Sequence, residues 1–383
     1  MRQSEALDVE AARELFPVAD CCAYLDHAAT APLSTPVRDA MEAYLSDRAT
    51  GGEAGKSESV SDELRRALAK LVNAAPQEIA FAQNTSAGLN VVANGLPLEP
   101  GDNVVFCDME FPSNVYPWMN LQRRGIEARC IPHVGGGLTV EALETHADEH
   151  TRVVAVSSVE FLTGFRNDLM TLGEWCDGRD TYFVVDAIQS LGVLPMDVRA
   201  CRVDFLCCGG PKWLMGPAGQ GFIYCRQEVL DDLRPPFAGC RSVIGRDDWR
   251  SYDLAFLPDA SRFELGCPNF VGQVGLLAAV RLLLSIGIDS IAEWALTLAD
   301  ALIADLERRG YEVASDLRPE RRSPIVSFKV PGDVGDAHEE LASARVVVSK
   351  REQYIRVSPH CYNTEQEVLR VGETLGDVRR RQS

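Results

Sequence analysis

The 383-residue chain lacks any uncharged apolar run of the roughly 18 or more residues that a bilayer-spanning helix needs. A membrane protein is therefore not expected. Its first 20 residues, MRQSEALDVEAARELFPVAD, are acidic and helix-like, without the basic and apolar stretches of an export signal, so the expected location is the cytoplasm. Positive charge is scarce. Lys and Arg number 38 against 56 Asp and Glu, and a formal charge of −18 opposes binding to nucleic acid or an anionic membrane. Arg379, Arg380 and Arg381 make a short basic end that reads as a solvated tail. The 12 cysteines form no C-x-x-C and lie mostly in apolar runs such as DFLCCGG, which points to reduced core thiols. The six histidines are scattered, so no metal site is expected. Neither G-x-x-x-x-G-K-[ST] nor G-x-G-x-x-G occurs, which weakens a nucleotide-binding reading.

What is present is enough apolar sequence, 46% of residues, to bury the core of one large or two modest domains. From about residue 75 to 225, short β-rich runs alternate with helical stretches, the pattern of an α/β domain with a mostly parallel sheet between helices. Seven strands are expected, at 79–82, 103–107, 128–131, 153–157, 182–186, 204–208 and 221–225. Several are apolar throughout, as strands covered on both faces should be. Glu99-Pro100-Gly101-Asp102 reads as a turn, and Thr139 as a helix cap after three glycines. After Pro235-Pro236 a loop, FAGCRSVIGRDDW, leads to a helix-rich stretch near 271–309, and strand-like 323–330 and 354–358 follow among helices. The expected division is residues 1–20 as a helix packed with the small domain, 21–250 as the large domain, and 251–383 as a smaller α+β domain.

Chemistry concentrates in three places. Lys212 sits in CGGPKWLMGP, a Gly/Pro-rich turn just after a buried strand, where a lone lysine is ordinarily only a solvated side chain. Asp186 ends the apolar strand YFVVD, at the strand end where α/β sheets present ligand groups, although a carboxylate there can also be a simple cap. A pyridoxal cofactor needs such a pair: a lysine for a Schiff base, and an acid that keeps the pyridine nitrogen protonated so that the ring accepts electrons. Gln189, three residues on, could reach the ring's phenolic oxygen. In NTSAGLN a strand runs into hydroxyls at a helix start, where backbone N–H groups and the helix dipole favour a phosphate; Thr85 as an ordinary N-cap is the plainer reading.

Over almost its whole length the sequence resembles the class V aminotransferases of fold type I, the branch with cysteine desulfurases, selenocysteine lyases and isopenicillin-N-epimerase-like proteins. The likeness rests on YLDHAAT from Tyr24, on Asn84 to Asn90, on EFPSN from Glu110 with Pro117-Trp118, and on VDAIQ from Val185. The Lys212 segment, RFELGCPN from Arg262 and RVSPH from Arg356 complete it. The resemblance implies pyridoxal 5'-phosphate as cofactor, held through Lys212, with Asp186 on the pyridinium nitrogen and Gln189 on the phenolic oxygen. It places Thr85, Ser86 and Gly209 near the phosphate and the Phe111 ring over the cofactor. Arg356 would clamp the substrate carboxylate, with His27 and Ala29 beside the substrate. Gly266 and Cys267 stand where family dimers often reach a neighbour's phosphate with Gly-Thr, which implies a homodimer with shared sites. A thiol in place of the threonine hydroxyl is a weak donor.

Two further departures bear on function. Pro211 precedes the lysine where many desulfurases have histidine, and residues 337–354, where desulfurases carry the sulfur-accepting thiol, contain no cysteine. Cys240 and Cys361 are the thiols whose closeness to the site stays open. The expected activity is Cα-carbanion chemistry on an amino acid: a C–S lyase like the desulfurases but without that cysteine. Aminotransferase or epimerase is the alternative, and a non-catalytic cofactor-binding protein is the rival from another class.

Overall fold

A computed structural model describes residues 7–52, 56–245, 250 and 252–378. The basic end at Arg379 to Arg381 and part of the loop after Pro236 lie outside them. In chain order, α1 (Val9–Glu14) and a short strand β1 (Ala23–Tyr24) precede helices α2 (Thr35–Ala49) and α3 (Lys56–Val72). The next stretch alternates β2 (Ile79–Ala82), α4 (Thr85–Gly95), β3 (Asn103–Cys107), α5 (Tyr116–Met119), β4 (Glu127–Ile131), α6 (Val140–His146), β5 (Thr151–Ser157), α7 (Leu169–Asp177) and β6 (Tyr182–Asp186). It closes with β7 (Phe205–Gly209) and β8 (Gly221–Cys225). These seven strands, β2 to β8, form one sheet in the order β2-β8-β7-β6-β5-β3-β4. It is parallel from β4 to β7 and antiparallel only at β7–β8 and β8–β2. The strands fall where the apolar runs predict them, within two residues at each end. β5 starts earlier than its apolar run because polar Thr151 is tied to the sheet, its Oγ1 donating to Asn103 Oδ1 (2.8 Å).

The strand order reverses around β3 and β5, and an open α/β sheet collects ligands in the crevice beyond its strand C-termini at such a switch. Helix α4 lies close enough to β7 that a Cβ on Gly88 would stand 2.9 Å from Cys207 Sγ and 3.1 Å from Ile223 Cγ1. Only glycine lets the helix start sit so near the sheet's end. Thr139 caps α6 as expected, accepting from Ala142 N.

Beyond the sheet, α8 (Phe270–Ile286) and α9 (Ile288–Arg308) lead to a four-stranded antiparallel sheet of β9 (Glu312–Val313), β10 (Val326–Lys329), β12 (Ser349–Arg351) and β13 (Tyr354–Val357). Its order is β12-β13-β10-β9, and α10 (Val334–Ser343) and α11 (Glu365–Leu375) pack with it. The two-residue strand β11 (Val346–Val347) pairs with β1. Packing divides the chain differently from a cut at residue 250. Leu276, Val280 and Leu283 of α8 join the core of the large sheet, and the separate core of the smaller unit takes up the chain from Leu298 of α9. That second core also includes Ala23 and Leu25 from the chain start. Helix α1 docks on the C-terminal segment: Phe16 stacks on Tyr362 at 4.1 Å and Arg13 pairs with Glu367 at 2.8 Å. Among the described residues no single helix is long and apolar enough to cross a membrane; α8 and α9 pass that test only as a pair bent by 81°.

Candidate active site

Strand β7 ends at Gly209, and Gly210 opens the turn that follows. A Cβ on Gly210 would meet Gln220 O at 2.9 Å, and one on Gly209 would press on Thr85 Oγ1 at 3.3 Å. The chain then folds back tightly. Met215 takes a left-handed φ of 52°, its N–H donates to Lys212 O (2.8 Å), and Gly216 N–H donates to Gly210 O (2.9 Å). This turn aims Lys212 across the end of the sheet. Its Nζ stands 5.6 Å from the centroid of the Phe111 ring and forms no hydrogen bond or ion pair among the described residues. Burial lowers the ammonium's pKa to about 8, with Asp186 opposing the shift and the guanidinium groups of Arg356 and Arg351 adding to it.

Asp186 closes β6 and is 2% exposed. Ile188 N–H donates to its Oδ1 (2.9 Å), and its Oδ2 has no partner among the described residues. Burial pushes its carboxyl up to about 6, against the Ile188 hydrogen bond and the Lys212 charge. One cause, removal from water, thus drives an acid and a base toward their neutral forms.

The start of α4 faces the same crevice. Asn84, not Thr85, is the N-cap, accepting from Ala87 N at 2.8 Å. Thr85, freed from that task, is buried and its Oγ1 accepts from Gly209 N–H (2.9 Å), while Ser86 Oγ pairs with Ser113 Oγ at 2.7 Å. Gln189 is buried and oriented at both ends: its Nε2 donates to Ala28 O (3.0 Å) and its Oε1 accepts from Trp213 Nε1 (2.9 Å). Ala31 N–H donates to Pro211 O (2.8 Å), which lays the segment with half-buried Ala29 against the lysine turn.

Arg356 comes from β13 of the small sheet and is 1% exposed. Its Nη1 donates to Phe161 O (2.7 Å) and its Nη2 to Ser349 Oγ (3.4 Å), with Asp26 Oδ1 at 3.8 Å; Nε, also buried, has no partner. Burial lowers its pKa to about 10. Phe111 is 40% exposed and meets Phe161 edge to face at 5.1 Å, so the Phe111 ring borders the crevice instead of filling a core.

One expectation needs correcting, and one open question closes. His27 does not face the crevice. It is fully buried, its Nδ1–H donates to Ser358 O (2.9 Å), and its Nε2 accepts from the Tyr362 hydroxyl (2.9 Å), which leaves nothing for a substrate. Burial holds it neutral, with a pKa down to about 4. Cys361 is equally enclosed and its thiol is pushed up to about 12, so it is no nucleophile. Cys240 is exposed. Gly266 and exposed Cys267 border a cleft of about 570 Å³ with Gln83 and Asn90, whose lining includes none of Thr85, Ser86, Asp186 and Lys212. Sequence reasoning missed Asp26, Ser113, Phe161 and Ser349, whose roles come from contacts over long chain separations and leave no local signal.

The residues assembled here suit one kind of guest: an aldehyde for a free lysine amine, a ring nitrogen for a half-partnered buried carboxyl, and an anion for a helix start and an unsatisfied guanidinium nitrogen. That donor set on this sheet defines a pyridoxal-phosphate-dependent enzyme of fold type I. The comparisons agree. The family model for class V aminotransferases matches residues 23–371, and the chain belongs to that family. It is 32% identical to a probable cysteine desulfurase of Methanothermobacter thermautotrophicus, covering 93% of this chain and 94% of that one. It is 29% identical to an uncharacterized aminotransferase of Bacillus subtilis, again over 93% and 94%. Among solved structures, the apo cysteine desulfurase of Thermococcus onnurineus superposes with a TM-score of 0.89 at 28% identity, over 98% of this chain and 99% of that one.

Proposed function

We propose that the protein is a C–S lyase that breaks the Cβ–S bond of a cysteine-derived amino acid. What carries this reading is the full-length likeness to the probable cysteine desulfurase, above 30% identity, around a site with a free lysine and a buried arginine. Bound pyridoxal phosphate supplies the electron-accepting ring. Lys212 would hold the cofactor through its amine, and that same amine, with a pKa lowered by burial, would serve as the base for the substrate Cα proton. Asp186 keeps the ring nitrogen protonated. The first turn of α4, with Thr85 and Ser86 and the bare backbone of Gly209, would hold the phosphate, Gln189 would serve the phenolic oxygen, and Phe111 would pack on the ring. Arg356 receives the substrate carboxylate, and Ala29 lies alongside it. The overall reaction would release the sulfur as a thiolate and, with water, the remaining three carbons as pyruvate and the nitrogen as ammonia.

Residues 337–354 hold no cysteine, and Cys361 is sealed in the core, so the sulfur leaves with the small product instead of passing to an enzyme thiol at either place. We further infer a cytoplasmic homodimer. The exposed apolar side chains of Phe237 and Leu265, which line one cleft with Gly266 and Cys267, support a covering second copy.

The test is product analysis of the cofactor-loaded protein with L-cysteine and L-cystine, with and without a keto acid. Pyruvate formed in equal amount to sulfide or persulfide supports the lyase. Turnover that requires the keto acid and moves the amino group would establish an aminotransferase instead, inversion at Cα an epimerase, and no exchange of the Cα proton a non-catalytic binding protein.

A further inference from the structure

Beneath the crevice lies a group of acids that the reaction does not use. Cys107 ends β3, Glu110 follows three residues later, and Glu160 follows the end of β5. All three are buried, and one oxygen or sulfur from each lies within 4.8 Å of the other two. Three hydrogen bonds converge on the Glu110 carboxylate: Oε1 accepts from Ser157 N–H (2.5 Å), and Oε2 from Ser157 Oγ (2.6 Å) and Asn114 Nδ2 (3.0 Å). Glu160 Oε1 accepts from Asn167 Nδ2 (2.8 Å) and faces Cys107 Sγ at 3.8 Å, while its Oε2 is buried without a partner.

A metal ion is disfavoured at this place, because the N–H and O–H hydrogens already directed at Glu110 occupy the approaches that a cation would need. Two ionised carboxylates with oxygens within 4.8 Å of each other and away from water are disfavoured as well. One proton resolves the conflict: it removes one of the two charges and spares the unpartnered Glu160 Oε2 from carrying a buried negative charge. Burial pushes both carboxyls up, their mutual repulsion pushes Glu160 further, and Asp186 adds to each. The titratable groups facing the pair are Cys107 from β3, Cys130 from β4 and Asp186 from β6, with Asp108 beyond Cys107. None of them is a cation that would offset the second charge.

The place of this pair in the chain gives it a consequence. Glu110 directly precedes Phe111, and Glu160 directly precedes Phe161. The two rings meet at 5.1 Å, the Phe111 ring borders Lys212, and Phe161 O holds Arg356 Nη1. We propose that Glu110 and Glu160 share one proton as a carboxyl pair that positions the Phe111 and Phe161 segments, and through them the ring wall beside Lys212 and the guanidinium of Arg356. Neither acid touches substrate; both are positioning residues. Loss of the shared proton leaves two repelling charges, parts the two segments and releases Arg356 from its carbonyl. The inference rests on the Lys212 site and stands whichever leaving group the enzyme takes.

The experiment compares cofactor-loaded wild type with Glu160→Gln and Glu160→Ala, measuring kcat and KM from pH 6.5 to 9.5 for whichever amino acid the product analysis identifies. It adds infrared detection of a protonated carboxyl, which needs no turnover. Gln keeps the size and neutrality of the protonated acid and cannot ionise. The expected result is near wild-type kcat/KM at neutral pH, with the alkaline rise in KM abolished and the protonated-carboxyl signal lost. Glu160→Ala should raise KM by roughly 10- to 100-fold with a smaller change in kcat, and alter the visible circular dichroism of the bound cofactor. If the Ala variant does not fold, the Gln variant decides alone. An unchanged KM profile in Glu160→Gln, no protonated-carboxyl signal in wild type, or a stoichiometric metal lost with Glu160 would each overturn the proposal.

Discussion

Replacing Asp186 by Asn should make the cofactor-free protein more stable and the loaded enzyme much worse. The folded carboxyl sits at about 6 against an ordinary 3.8, a rise of about 2 units, and at ~1.36 kcal/mol per unit this is about 3 kcal/mol. Because the folded pKa is raised, stability is full below the unfolded value near 4, falls as pH rises, and the whole loss is in place above about 6. That net cost already includes the attraction to Lys212 and the bond from Ile188 N–H, which an Asn Oδ1 can still accept. In urea unfolding at pH 7.5, apo Asp186→Asn is therefore expected to gain up to about 3 kcal/mol over apo wild type, with the gain shrinking below pH 6. Without the carboxylate that holds the ring nitrogen protonated, kcat should fall roughly 10²- to 10³-fold, the usual size for removing one preorganised electrostatic contact. An apo variant no more stable than wild type at pH 7.5 would refute the burial argument. Unchanged turnover would refute the assignment of Asp186.

Lys212→Ala should abolish the borohydride-sensitive visible band and the covalent adduct at that residue, as seen by absorption and peptide mass. Recolouring of apo wild type by added pyridoxal phosphate should speed up about tenfold per pH unit below about 8 and level off above, since only the neutral amine attacks and burial lowers its pKa to about 8; a flat rate from pH 6 to 9 would contradict this. Arg356→Lys should raise KM roughly 10- to 100-fold, because a lysine lacks the fork that spans Phe161 O and Ser349 Oγ while facing a carboxylate. Gly88→Ala should cost about 1–3 kcal/mol in unfolding experiments, as its Cβ would press on Cys207 Sγ at 2.9 Å and on Ile223.

The strands were legible because a sheet covered on both faces writes itself as apolar runs, and Val184, Val185, Leu206 and Cys207 are indeed buried completely. Lys212 and Asp186 were legible because each ends such a run, and the scarcity of lysine sharpens the signal: the chain has only five. The edges of the site were not. His27 lies in the family-like YLDHAAT segment, yet its ring is consumed by Ser358 and Tyr362, more than 300 positions away in the chain. Arg356 reads as a strand arginine until β13 is packed against Asp26 and the chain after β5. The core of the smaller unit begins in α9 because the apolar face of α8 finds its partners on α2 and α3, a choice between two cores that periodicity alone does not make.

The electrostatics of the crevice explain why these residues tolerate one another. Lys212 and Asp186 are both drawn toward neutrality by burial, one from above and one from below, so the cofactor-free site is a place where two charges are held at a cost. Arg356 adds a third, with a buried Nε that no protein atom satisfies. A ligand that converts the lysine amine into a covalent link, gives the aspartate a charged N–H, and brings a carboxylate to the arginine removes all three costs in the folded state and none in the unfolded chain. By linkage, that difference appears as binding energy. A pyridoxal phosphate together with an α-amino acid would relieve all of this cost. A ligand with a phosphate but no aldehyde and no protonated ring would relieve too little of it to compete.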